Sequence, residues 1–402
     1  MTSSSVTKTS SIIHHTSNIF TGQDPHRDTL NTGSISPDAS PLLIKQKNKL
    51  YMQEKDITST NEIKIFPHGI ENGESQITRV RDDRIDAVKF WLVTLVIAVH
   101  VFMRKEFSDS TACAVIWNWI NLFVMPLFIF ISGYFSRKKD KKDIFPSIWK
   151  LLEPLIIFQA IALLFYKDSI TMRDFITPWY MLWYLLSLIY WRLILQFIPN
   201  KILNHTKLII FSTFYVSILA GFFPFDRVLS IQRTFALMPL FFCGYYFRDK
   251  NLYLPDKYNT LCIVFLFVIL AVLFFYPHRI TYLLYATPYK SIYGVVIRVV
   301  AFILAIPMSI AFINVCYNTP WIAQQGRMSM QYYIYHALVI PPMSAPIIPP
   351  LILIADKMNV PMTFYTAIVI IILTIIGLSL ILKIPHVKML TNPSSLIVKI
   401  LG

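Results

Sequence analysis

Asp86, Lys89 and His100 are three ionisable residues within one apolar run that begins near residue 85. At 100° per residue on a helix, Lys89 lies about 20° to one side of His100 and Asp86 about 40° to the other. All three therefore share a face. Asp86 and Lys89 are three residues apart and can pair, while His100 lies about 16 Å further along the axis. The bland reading makes Asp86 and Lys89 an interfacial ion pair and His100 the polar cap of a span. An ionisable side chain inside a membrane helix is costly, and three on one face point instead to a lined cavity. The chemistry that such a set offers is proton transfer. A histidine has an ordinary pKa of ~6.5, which suits a general base, and a lysine can meet a phosphate.

Other polar residues stand in or beside further apolar runs. Ser132-Gly133 precedes a basic run of Arg137, Lys138, Lys139, Lys141 and Lys142. The glycine lets another group approach the backbone, and the basic run either fixes topology or meets phosphates. Lys150 and Glu153 open a third apolar run on the same side, and His336 is expected about two turns into a ninth, toward that side as well. Arg233 and Arg298 begin two runs at the opposite side. Trp179, Trp183 and Tyr184 gather there too, where rings could stack on a sugar face, while Tyr190 and Trp191 read as an interfacial aromatic belt. Cys113, Cys243, Cys262 and Cys316 are scattered without a CxxC pair, so neither a zinc site nor a disulfide framework is expected, and no metal.

Membrane helices must position these groups. Of the 402 residues 55% are hydrophobic and 15% charged, with a mean hydropathy of +0.54; a soluble domain carries about 25% charged residues. Ten stretches approach the ~20 residues that a span needs: 85–103, 113–135, 148–166, 179–198, 207–223, 233–248, 258–276, 291–316, 329–353 and 361–383. The fold class expected is all-α, a polytopic membrane bundle of about ten transmembrane helices behind a disordered polar tail at 1–83. A membrane domain then runs over 84–385 and a short cytosolic segment over 386–402. The tail has no apolar signal segment, and Asp38–Leu43 has the form of an acidic dileucine sorting signal. No internal repeat is visible.

The net charge of +15 falls mostly in short loops between apolar stretches, which is the pattern that orients membrane proteins and not that of a nucleic-acid-binding face. Loops containing Arg79–Arg84, Arg137–Lys142 and Lys383–Lys399 are richer in Lys and Arg than those containing Arg104, Lys167, Arg227 and Lys290. The richer side is expected in the cytosol with both termini, in the plasma membrane or an endomembrane. The sequon Asn204-His205-Thr206 then faces the cytosol and stays unused.

Asp86-x-x-Lys89 followed by His100 resembles the opening of the acyltransferase 3 family. Met125–Phe128, Ser132–Phe135 and the basic run after them are similar to that family's second helix and loop, and Leu182-Trp183-Tyr184-Leu185 to its Leu-Trp-Phe-Leu signature. Arg233–Gly244 resembles the fucose 4-O-acetylase-like subgroup, and Ser329 with Tyr332–His336 resembles the closing motif. The likeness covers about 80–385. Ala87 stands where the family has glycine and Lys89 where arginine is usual, so the phosphate partner is a point charge without the bidentate fork.

The resemblance implies an integral-membrane O-acyltransferase, an O-acetyltransferase in that subgroup. It would move an acyl group other than aminoacyl from acetyl-CoA, or another acyl-CoA, to a hydroxyl of a carbohydrate or glycolipid. On that reading His100, Asp86 and Lys89 are catalytic. Lys89, Ser132, Gly133, Arg137, Lys138, Lys150 and His336 meet the CoA, and Trp183, Tyr184, Arg233 and Arg298 hold the acceptor. His100 acts as general base, with an acyl-histidine as the alternative route. Arg233 or Arg298 steadies the oxyanion or holds the acceptor, and the acyl group crosses the membrane during transfer. The competing class is a multi-pass secondary transporter, which also places ionisable residues in an intramembrane cavity but would make no acylated glycan from labelled acetyl-CoA. A scaffold that has lost activity is the third reading.

Overall fold

The computed structural model describes residues 81–391, apart from 108, 168, 226, 249, 341–347, 359, 360 and 362. The expected tail up to residue 80, its dileucine string, and the chain after 391 lie outside the described residues. Every described regular element is helical. The principal ones are α1 (Asp83–Phe102), α2 (Thr111–Tyr134), α3 (Lys141–Tyr166), α4 (Trp183–Phe197), α5 (Thr206–Ala220) and α6 (Ile231–Phe247). They continue with α7 (Asn259–Leu273), α8 (Ile292–Val315), α9 (Pro320–Arg327), α10 (Ser329–Val339), α11 (Ile348–Lys357) and α12 (Phe364–Ile381).

Local chemistry explains several starts. The Asp82 side chain accepts from the Arg84 and Ile85 amides at the head of α1, and Ser110 accepts from the Cys113 amide at the head of α2. Thr319 caps α9, with Pro320 at a position where its missing N–H costs nothing.

Helices occur at all ten expected places, but seven among the described residues are long and apolar enough to cross a membrane: α1, α2, α3, α6, α7, α8 and α12. Helices α4 and α5 have 15 residues each, short of the ~20 that a hydrocarbon core takes. The stretch expected to be one helix over 329–353 is instead α10 and α11, separate elements. The sequence there carries Pro341, Pro342, Pro346, Pro349 and Pro350, none of which can donate to a helix ladder.

Helices α1 and α2 form the centre, with 72% and 78% of their spans buried, whereas α7 and α12 have 17% and 28% and turn apolar side chains such as Phe267 and Tyr365 outward. In a membrane those outer faces meet lipid. Two glycines bring α2 and α6 together. A Cβ on Gly133 would strike the Phe241 carbonyl oxygen, and one on Gly244 the Phe130 carbonyl oxygen. The group that Gly133 lets approach is therefore the α6 backbone, not a ligand. Gly326 of α9 meets the Asp86 backbone in the same way.

Candidate active site

At its first turn α1 buries Asp86, 2% exposed. The carboxylate holds Lys89 Nζ at 2.5 Å and Arg81 Nε at 2.5 Å, with Arg327 Nε of α9 at 3.7 Å. A buried carboxylate is tolerated only with such partners. Its hydrogen bond from Arg81 pushes that guanidinium pKa up from its ordinary value. Asp86 and Lys89 pair as their spacing predicts. Lys89 Nζ also lies 5.6 Å from the ring centre of Phe135.

Phe135 lines a cavity of about 260 Å³ with Ser136, Arg137, Lys139, Ser147, Arg192 and Gln196. Of the cations named from sequence, Arg137 is here. Lys138 donates to the Ile198 carbonyl at 2.5 Å and to Asn200 Oδ1 at 2.8 Å, which ties it to the C-terminal end of α4. Lys150 is exposed and is not among the lining residues. Arg192, which sequence reasoning passed over, is placed here by α4. An arginine within a run of large apolar residues was the signal for it.

His100, near the far end of α1, lines a second cavity of about 510 Å³. Val99, Asn121 and Met125 bound it from α1 and α2, Trp183 from α4, and Arg233 and Gln232 from α6. The loop before α4 adds Thr177, Trp179 and Tyr180, and the loop before α8 adds Tyr285. The His100 ring lies 5.3 Å from Tyr180 and 5.8 Å from His336. His336 is fully buried, and its Nδ1 bonds the Tyr332 carbonyl at 3.1 Å. A carbonyl only accepts, so Nδ1 carries the proton and Nε2 of the neutral ring keeps a lone pair. His336 thus belongs beside His100 and not toward the Asp86 end. Its helix is preceded by α9, which carries it deeper than a start at 329 implied.

Trp183 lines this cavity, while Arg298 and Trp191 stand elsewhere than expected. One face of Trp183 is covered by the Arg233 guanidinium, 4.7 Å from the ring centre, which leaves only the other for a sugar. Arg298 is 1% exposed and lies behind the cavity, over the rings of Tyr285 and Tyr289, with Nη1 donating to the Ser217 carbonyl at 3.1 Å. Trp191 is no interfacial residue. It is fully buried against Phe241 and donates to the Thr234 carbonyl at 2.9 Å.

Packed side chains stand along the passage expected beside α1. Ser132 Oγ donates to the Phe128 carbonyl at 2.9 Å, and the Tyr184 hydroxyl lies 2.5 Å from the same oxygen. Serine has one hydroxyl proton, so Tyr184 is the donor. The Tyr184 ring packs 5.4 Å from Phe128 and 5.2 Å from Tyr333, and Tyr333 packs 5.2 Å from His336. A file of Ser132, Tyr184 and Tyr333 therefore stands between the basic cavity and the histidine cavity. Tyr184 stands in this file and is not among the residues that line the histidine cavity.

Around the larger cavity the backbone itself is unusual. All four described non-glycine residues with positive φ are Tyr180 (42°), Leu229 (51°), Ser230 (57°) and Tyr285 (55°). Three of them line that cavity and the fourth is next to Ser230. Such strain persists where surrounding structure over-determines it and gathers at functional sites. No sequence signal announced it.

The sequence profile of a family described as an acyltransferase domain matches residues 82–382. No curated protein and no solved structure matches the chain. That profile spans α1 to α12 and both cavities, and the chain is an integral membrane member of the acyltransferase 3 family.

Proposed function

We propose that this protein is an O-acyltransferase that takes an acyl group from acyl-CoA at its basic cavity and delivers it to a carbohydrate or glycolipid hydroxyl at the His100 cavity. The observation that carries the reading is the pair of cavities, a smaller one lined by three cations and a larger one lined by His100, with the Ser132–Tyr184–Tyr333 file between them. Arg137, Lys139 and Arg192 offer three cations at the smaller cavity, suited to phosphates of a CoA. Lys89 backs that cavity through Phe135. Ser132 stands where a thioester arm would have to pass, so transfer requires the Tyr184 hydroxyl to release it. With the Lys- and Arg-rich loops in the cytosol, the His100 cavity faces the outside or a lumen.

At the far cavity His100 removes the proton from the acceptor hydroxyl, and the hydroxyl oxygen then attacks the thioester carbonyl. The carbon–sulfur bond breaks and the thiolate takes up a proton. His336, with its proton on Nδ1, packs beside the His100 ring. Arg233 lines the same cavity and can hold the acceptor. The run Arg233–Gly244 supports the fucose 4-O-acetylase-like subgroup, and with it acetyl as the acyl group.

The test uses purified full-length protein in nanodiscs with radiolabelled acetyl-CoA, beside mass spectrometry of surface glycans from cells with and without the chain. Label should enter a glycan, and His100→Ala should abolish incorporation while CoA binding persists. Transfer that survives His100→Ala would remove that residue from the active role.

A further inference from the structure

We infer that the acceptor carries an anionic group, a carboxylate or a phosphate, held by Arg233 and Arg227 while the reacting hydroxyl faces His100; this rests on the acyl-transfer reading of the cavity.

The argument begins with charge. Among the described residues that line the His100 cavity, the cations are Lys167, Arg227 and Arg233, and the one carboxylate is Asp174. Asp174 is already engaged. It accepts from Lys167 Nζ at 2.8 Å and from the Thr171 amide and hydroxyl at 2.9 and 2.6 Å. That pair neutralises itself and leaves two guanidinium groups without a described carboxylate.

The two are arranged differently. Arg227 is exposed at the rim. Arg233 stands within the wall, partly buried, its guanidinium carbon 4.7 Å from the Trp183 ring centre and its Nε donating to the Leu284 carbonyl at 3.3 Å. A guanidinium has five N–H donors in a rigid fork that matches carboxylate and phosphate oxygens. Stacking on Trp183 and the Leu284 bond fix the orientation of the fork and leave its two NH₂ groups for a ligand. A cation at such a depth is costly unless an anion compensates it.

A neutral sugar would accept weaker hydrogen bonds from the two arginines than an anion does. An anionic one gains charge-assisted hydrogen bonds and draws its hydroxyls onto the wall that His100 shares. A sugar acid, a sugar phosphate and a phospholipid-linked glycan all present this chemistry.

The experiment is ligand binding to the full-length protein in zwitterionic nanodiscs without CoA, so that it stands apart from the transfer assay. The probes are methyl β-D-glucoside, methyl β-D-glucuronide and glucose 6-phosphate, with a second set of nanodiscs containing phosphatidylinositol. Thermal stabilisation should appear at about tenfold or more lower concentration for an anionic probe than for the glucoside. Arg233→Gln should remove that preference, Arg233→Lys should restore it in part, and Arg227→Gln, at an exposed position that does not challenge folding, should weaken it. Preference for the free anionic sugars assigns the charge to the sugar. Stabilisation by phosphatidylinositol alone, lost in Arg227→Gln, assigns it to a lipid phosphate. Equal or absent response to all probes, or an anionic preference unchanged in Arg227→Gln and Arg233→Gln, overturns the proposal. Acetyl transfer to a neutral glucoside together with such a result would leave the acyltransferase reading standing without it.

Discussion

The two ends of α1 differ in how completely their polar groups are paired. At the Asp86 end one buried carboxylate is shared by Lys89, Arg81 and Arg327 from two chain segments, and the backbone is ordinary. At the His100 end buried polar atoms lack a partner among the described residues: His100 Nδ1, His336 Nε2, Thr177 Oγ1, Trp179 Nε1, Gln232 Oε1 and the Tyr285 hydroxyl. The strained residues gather there too. Buried polar groups are normally satisfied, and strain is kept where it serves a ligand. The first end reads as a clamp that fixes α1 against α9, and the second as the wall of a binding cavity.

The contrast can be broken most sharply at His100. His100→Ala should lower kcat by about 10²–10⁴, the usual worth of a general base, while the melting temperature stays near wild type; transfer rates and a melting curve read both. A large drop in stability with unchanged kcat would reverse the assignment of the two ends. Arg192→Gln should raise KM for acetyl-CoA by about 10–100-fold, the loss of a charge-assisted bond, with kcat little changed; a change in kcat alone would exclude Arg192 from donor binding. Asp86→Asn should cost about 2 kcal/mol of stability in denaturation, less than a sealed pair would because Arg81 and Arg327 are about half exposed. If Asp86→Asn left stability unchanged, the clamp would be decorative.

The smallest effect concerns Asp174, whose carboxyl Lys167 and Thr171 hold well below the usual carboxylate range. A folded pKa below the unfolded one gives stability that is present above the ordinary value of 3.8 and is lost only as pH falls through the lowered value. The difference in melting temperature between wild type and Asp174→Asn should thus be constant from pH 7 to pH 5. No difference at either pH would show that the carboxyl is not held.

The sequence disclosed the face shared by Asp86, Lys89 and His100 because helical periodicity is a local property. It placed Ser132 and Arg137 near the basic end for the same reason. It misjudged the depth of His336, since nothing local says that α9 precedes Ser329 in the bundle. It put Arg298 in the acceptor site because a lone arginine looks the same whether it lines a cavity or lies behind Tyr285. It gave Tyr184 to the acceptor, although the contact that defines its place, with Ser132, joins residues 52 positions apart. The loop residues around Tyr180 were legible least, because their conformation is imposed by what surrounds them.

The mutual contact of Gly133 and Gly244 has a mechanical side. Two backbones that touch with no side chain between them have neither room to close further nor a compliant layer to slide on, so α2 and α6 form a rigid spine. Any motion that joins the two cavities then falls to α4 and α10, which bring Tyr184 and Tyr333 to the partition. Cross-linking α2 to α6 should leave turnover intact, whereas tethering α4 to α2 at the level of Ser132 should stop it.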